Sequence, residues 1–171
     1  MSLIATAALS ILTSGLVSAL VTFRLSSRRQ DLQFRRQKLE DTYKAFIAFA
    51  ADLGLHWMPF GAVMAGRLEY KSAIAMTKVE PAKPRQIDEL QMLVAIYFPE
   101  LQPLLDELLE IRDRGSILVL AYKSYESPGQ SRQETLVLFD KVLRELQELR
   151  ERFALAVRAE AEKIRSGLTA A

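Results

Sequence analysis

Side chains able to carry out chemistry are few in this 171-residue chain, and their spacing matches no catalytic arrangement. His56 is the only histidine and there is no cysteine, which excludes thiolate zinc sites, a cysteine nucleophile and disulfides. One histidine cannot supply the paired Glu-x-x-His motifs of a dinuclear carboxylate bundle. The sequence also contains no Gly-x-Ser-x-Gly elbow, P-loop, Gly-x-Gly-x-x-Gly or His-Glu-x-x-His pattern. We therefore expect no enzyme activity, no catalytic residue, no metal and no cofactor.

His56 and Trp57 lie just before Pro59, where the sequence predicts a helix end. A histidine that completes the last helical turn beside a packed aromatic accounts for this pair, and ligand contact or pH sensing is the alternative role. Aromatic platforms for single-stranded nucleic acid lie among basic residues, whereas Tyr97 and Phe98 lie in an acidic segment. The net charge of +2 also excludes a uniformly basic chain, so we expect no nucleic-acid partner.

The elements that would position any site begin with a long apolar segment. No charged side chain occurs from Met1 to Phe23, and the run from Leu3 to Phe23 spans about 32 Å as a helix. A hydrocarbon core is about 30 Å thick, so residues 1–25 are predicted to form a single transmembrane anchor. The alternatives are a cleaved signal peptide, with a cleavage site at Val17-Ser18-Ala19, and a buried helix of a soluble protein.

Basic residues follow this segment at once and set its predicted orientation. Between Arg24 and Lys44 there are seven bases against three acids. The positive-inside rule then places the N-terminus outside and the rest of the chain in the cytoplasm, with the anchor in the inner cell membrane. The side chains assigned to this topology signal and to lipid headgroups are Arg24, Arg28, Arg29, Arg35 and Arg36.

Small and hydroxylated residues recur along the predicted anchor at every fourth position. Such side chains let helices approach closely and can hydrogen-bond across the contact. The sequence therefore predicts a packing face that joins the anchor to a copy of itself or to another helix. Alternatively, each hydroxyl bonds the carbonyl four residues earlier. The residues of this face are Thr6, Ser10, Ser14, Gly15, Ser18, Ala19 and Thr22.

Beyond the anchor the apolar residues follow a helical period, and no convincing pair of strands is present. We predict an all-α fold in which the transmembrane helix continues into a basic stalk, residues 24–44, and an antiparallel bundle of about four helices. This cytoplasmic bundle covers residues 26–171. Pro59 and Gly61 are predicted to end the first helix. Pro99 and Pro103 should split the third, Gly115 should weaken it, and Ser131 with Glu134 should cap the last.

The third helical segment carries acids without any base between positions 86 and 111. A solvated surface is the simplest interpretation. Docking onto the basic stalk and contact with a partner are the alternatives. The residues of this partner face are Asp88, Glu89, Glu100, Asp106, Glu107 and Glu110.

These features predict a non-enzymatic, membrane-tethered interaction or assembly protein. It would hold a cytoplasmic partner, or its own oligomer, at the membrane. The alternative is a small membrane effector or channel component whose transmembrane helices oligomerise and permeabilise the bilayer. Membrane lipid, an unidentified protein and further copies of the chain are the expected partners. An enzyme with a pocket in the bundle is a third hypothesis that no motif supports.

The packing face of the anchor can be tested by substitution. Replacing Ser10, Ser14 and Ser18 by leucine removes three hydroxyls and adds bulk where helices would approach. We expect weaker self-association of the anchor in a membrane two-hybrid assay. Association equal to that of the unaltered anchor would contradict the packing face.

Overall fold

The computed structural model of the chain describes the backbone of residues 2–77, 85–123 and 132–167, and their side chains except at 2–20, 85, 86, 123 and 132. Within these ranges all regular structure is helical, which confirms the all-α prediction. The helices are α1 (Ser2–Met64), α2 (Tyr70–Thr77), α3 (Arg85–Tyr97), a 3₁₀ turn (Pro99–Leu101), α4 (Gln102–Lys123) and α5 (Arg132–Ser166).

The first helix runs through Pro59 and Gly61, so the helix end predicted there is wrong. A proline inside a helix costs about 3 kcal/mol through its missing N–H and its ring. Trp57, Phe60 and Val63 are buried around it, and each such side chain contributes about 1.5–3 kcal/mol on burial. Burial of the apolar side chains on both sides of the proline therefore outweighs the lost hydrogen bond.

α1 ends instead at Met64, two residues before Gly66, whose φ of 77° lies in the left-handed region that favours glycine. The Arg67 N–H donates to the Ala62 carbonyl, and the Gly66 N–H donates to the Val63 carbonyl, both at 2.9 Å. These two bonds form a Schellman motif, which satisfies carbonyls that have no partner within the helix.

The core lies between the second half of α1 and the last helix. Phe46 stacks on Phe153 with ring centroids 3.6 Å apart, and Trp57 meets Phe139 edge-on at 6.4 Å. The later residue of α1, Trp57, contacts the earlier residue of α5, Phe139, so these two helices run antiparallel. All four rings are buried.

α4 joins the same core beside α5. Arg114 and Glu145 form an ion pair at 2.5 Å, and Arg152 binds Glu107 further along, so α4 and α5 also run antiparallel. α2 contacts α1 through Tyr70, whose ring lies 5.9 Å from that of Phe60.

Prolines shape the chain between α3 and α4 as the sequence predicts. α3 ends at Tyr97, and Pro99 begins the 3₁₀ turn. Pro103 lies in the first turn of α4, where a missing N–H breaks no intrahelical bond. Ser131, the predicted cap of α5, lies outside the described residues, and the helix itself is described from Arg132.

Gly115 does not interrupt α4, contrary to the prediction that it weakens the helix. A Cβ atom there would lie 2.4 Å from Cζ2 of the buried Trp57 ring. The glycine is therefore required by the close approach of α4 to the indole, since a contact under 3.0 Å forces something to shift.

The Trp57–Gly115 contact predicts opposite effects for two glycine substitutions. Gly115→Ala should lower the free energy of unfolding by about 1–3 kcal/mol, because the methyl group overlaps an indole that the core holds in place.

Gly54→Ala in α1 is the matched control. Its new Cβ meets no atom within 4 Å, so better helix propensity should raise stability by about 0.5–1 kcal/mol. Urea unfolding followed by circular dichroism measures both. Equal stability of the two variants would refute the tight contact.

Candidate functional site

The first described side chains of α1 extend beyond the packed core. Nearly all of residues 21–31 are exposed, and the apolar Val21, Phe23 and Leu25 are exposed by 52%, 73% and 54%. Leu32 is the first side chain that packs against the core, and Leu39 is the first one buried. This free stretch coincides with the first part of the predicted stalk.

The five arginines predicted to mark topology all lie on this part of α1 and are exposed: Arg24, Arg28, Arg29, Arg35 and Arg36. In the described part of the chain no carboxylate lies within ion-pair distance of them. Arg24, Arg28 and Arg35 share the side of α1 that carries Leu39 and Phe46 into the core further on. Their guanidinium groups are therefore open to solvent or to anionic headgroups.

Of the predicted packing face, only Thr22 has a described side chain, and it is exposed. The backbone of the other positions belongs to α1. Their side chains lie outside the described residues: Thr6, Ser10, Ser14, Gly15, Ser18 and Ala19.

One helix among the described residues is long and apolar enough to cross a membrane by length and composition, the Val21–Met64 part of α1. About a third of its apolar window is buried within the protein. Phe46, Trp57 and Phe60 belong to the core, which is also the character of a core helix in a soluble protein. The predicted anchor, residues 1–25, shares only Val21–Leu25 with this segment, and its earlier side chains lie outside the described residues.

The acidic residues of the third segment spread over α3, the 3₁₀ turn and α4 rather than forming one cluster. Asp88, Glu89, Glu100, Asp106 and Glu110 are exposed. Asp106 accepts a hydrogen bond from Gln102 of the same helix at 2.8 Å.

Where these acids interact with bases, the bases lie on α5. Glu107, less exposed than the others, binds Arg152, and Glu100 helps to raise the pKa of Lys163. The larger cause of that raised pKa is the hydrogen bond from Lys163 to Glu160. Within the described residues Glu107 and Glu100 thus interact with the last helix, and none of these acids pairs with the stalk arginines.

An open groove of about 440 Å³ separates α1 from α5 at the stalk end of the core. Its lining combines an apolar floor with charges of both signs and contains no group of His, Cys, Asp or Glu residues able to hold a metal, as far as the described side chains extend. The lining residues are Arg36, Leu39, Glu40, Tyr43, Val157, Ala161, Glu162 and Arg165.

His56 and Trp57 lie inside α1 rather than at its end. His56 is exposed, with its ring 5.8 Å from that of Phe60, whereas Trp57 is buried between α4 and α5. Trp57 is therefore a core residue, in agreement with the packed aromatic that the sequence predicts beside His56. His56 does not complete a last turn, because α1 continues for two more turns beyond it.

Sequence reasoning overlooked a second apolar surface on α1, opposite the core. Leu55 and Met58 are exposed by 65% and 66% although Trp57 between them is buried. The signal was present in the sequence, since residues 45–65 are apolar all around the helix apart from Asp52 and His56. Such a helix is normally covered on every side, by protein or by lipid.

No known family, curated protein or solved structure matches this chain in the comparisons with each.

Proposed function

We propose that this chain is a membrane-tethered, non-enzymatic assembly protein. Its apolar N-terminal segment spans the inner cell membrane with the N-terminus outside. The stalk then holds a bundle of about four helices in the cytoplasm, where it retains a protein partner or further copies of the chain.

The continuity of α1 carries the proposal. It is one helix from Ser2 to Met64, so the apolar run of residues 3–23 shares a backbone with core residues such as Phe46 and Trp57. A spanning helix satisfies all its N–H and C=O groups internally, which is the condition for crossing lipid. Movement or position of the span is then transmitted to the helical domain without a flexible linker.

The exposed stretch of α1 supports the tether. From Phe23 to Leu32, the first side chain that packs against the core, the helix rises about 14 Å, enough to hold the packed core clear of the headgroups. Arg24, Arg28 and Arg29 begin this stretch with no carboxylate partner among the described residues. Each attracts anionic lipid by about 1 kcal/mol, which favours keeping this flank on the cytoplasmic side.

The acidic surface supports a protein partner of basic character. Asp88, Glu89 and Glu110 are exposed, and among the described residues they form no ion pair. Charged side chains left open on several elements steer an oppositely charged partner toward the domain.

Charge introduced into the apolar run tests the membrane span. Leu12→Arg combined with Leu16→Arg costs about 2.5–3.5 kcal/mol per arginine near the centre of a bilayer. We expect the full chain to sediment with membranes and resist an alkaline wash, and this double variant to move into the supernatant.

Leu155→Arg is the matched control, because this leucine is 61% exposed on α5 and its replacement should leave the chain in the membrane fraction. Recovery of the unaltered chain in the supernatant of lysed cells, without detergent, would refute the tether.

Orientation is tested by labelling, since the chain has no cysteine of its own. Ser2→Cys should react with a membrane-impermeant maleimide in intact cells, because the positive-inside rule places it outside. Ser166→Cys, exposed at the end of α5, should react only after permeabilisation. The reverse pattern would contradict the orientation while leaving the span itself intact.

A further inference from the structure

One side of α1 is left uncovered by the rest of the described chain between residues 26 and 58. From Ser26 to Met58, positions that follow one another at steps of three or four stay within an arc of about 80° on the helix. Every side chain among them is exposed or half-buried, and none is buried. We name this set of positions the outer stripe.

The N-terminal half of the outer stripe is polar but uncharged. It consists of Ser26, Gln30, Gln33 and Gln37, all exposed. None of the six bases between positions 24 and 38 lies within this arc, although Arg29 and Arg36 border it on one flank. In a stalk so rich in arginine, this narrow strip is thus free of charge.

The C-terminal half of the outer stripe is apolar. Ala48 and Ala51 give a low surface that another helix can approach, and Leu55 and Met58 project from it with about two thirds of their side chains exposed. The opposite side of the same turns is buried in the core through Phe46 and Trp57. Large apolar side chains in water on one face of a core helix indicate a missing partner.

Between the two halves lies one ion pair. The Lys44 ammonium is 2.6 Å from the Glu40 carboxylate. The hydrogen bond between them lowers the pKa of Glu40 and raises that of Lys44, so both groups stay charged across the neutral range. Opposite charges four residues apart can pair within one helix or between two neighbouring helices.

We propose that the outer stripe binds the outer stripe of a second copy of this chain, with the two α1 helices parallel and in register. Parallel pairing places glutamine on glutamine and Leu55 on Leu55. Antiparallel pairing would place the polar half of one copy on the apolar half of the other. The division of the stripe into two halves therefore matches a second copy in the parallel orientation and not in the antiparallel one.

Charge and hydrogen bonding both act in this arrangement. In register, Lys44 faces Lys44 and Glu40 faces Glu40 of the second copy, which costs stability, and the opposite charge one turn away on each helix offsets this repulsion. Three glutamines at seam positions fix the register at some cost in stability, since a shifted pair leaves amides against alanine or leucine. The mean step of about 3.6 residues keeps the stripe on one side of a straight helix.

The outer stripe also continues toward the N-terminus by the same steps, through Thr22 and then Ala19 and Gly15 of the predicted packing face. This extension into the bilayer rests on the proposed function. The pairing of residues 26–58 rests on the described face alone.

Single cysteines in the full chain test the pairing directly, because the natural sequence has none. Disulfide formation requires Cα atoms about 4.4–6.8 Å apart, so two distant positions of one helix each link to their own copies only when the two helices are parallel and in register. We expect Gln33→Cys and Leu55→Cys each to form a covalent dimer under mild oxidation, several-fold more than the controls. Arg35→Cys, exposed on another side of α1, and Arg144→Cys, exposed on α5, are the matched controls.

Three results would overturn the proposal. The first is that neither Gln33→Cys nor Leu55→Cys forms a dimer, and the second is that Arg35→Cys forms as much dimer as they do. The third is that a disulfide forms only between Gln33→Cys and Leu55→Cys when the two variants are mixed, which indicates an antiparallel pair. The same samples separate this proposal from the tether. Linkage in a chain that remains in the supernatant would support the pairing and refute the membrane span, and an unlinked chain in the membrane fraction would do the reverse.

Discussion

The fold of this chain depends on one constraint, the burial of the C-terminal half of the very long helix α1. α1 has 63 residues and extends about 95 Å at 1.5 Å per residue. A helix in water gains little from its own hydrogen bonds, so its position is fixed by the side chains that it buries. Those side chains begin at Leu39 and culminate in Trp57, which lies between Gly115 of α4 and Phe139 of α5. The remaining length of α1 takes its direction from this attachment.

Local patterns predict the existence of most helices but only some of their ends. The split at Pro99 follows from rules about a few neighbouring residues. Pro59 fails as a predicted end because the decision is made by tertiary burial of Trp57, Phe60 and Val63, which no local rule includes. The actual end just before Gly66 uses a signal that the sequence did contain, a glycine just after the last apolar residues.

The features of the candidate surfaces also fall into two groups, those that the local sequence predicts and those that depend on tertiary packing. Exposure of the stalk arginines follows from their run in the sequence, since so many like charges cannot be buried without partners. The pairing of Glu107 with Arg152 could not be foreseen, because it depends on which face of α4 meets α5. The same dependence hides the role of Gly115. A glycine that makes room for an indole looks, in sequence, like a weak point in a helix.

The charged side chains of α1 are concentrated on particular sides of the helix as well as in particular parts of the sequence. This distribution bears on the function of the helix. A helix that serves only as a solvated spacer gains nothing from keeping arginines off one face, because every side then meets water. In the stalk, Arg24, Arg28 and Arg35 share the side that further on enters the core, while Gln30, Gln33 and Gln37 occupy the opposite side. Further along, that opposite side becomes apolar at Leu55 and Met58. A narrow strip that carries uncharged amides in the stalk, one ion pair in its middle and exposed hydrocarbon beside the core has the properties of a helix–helix contact.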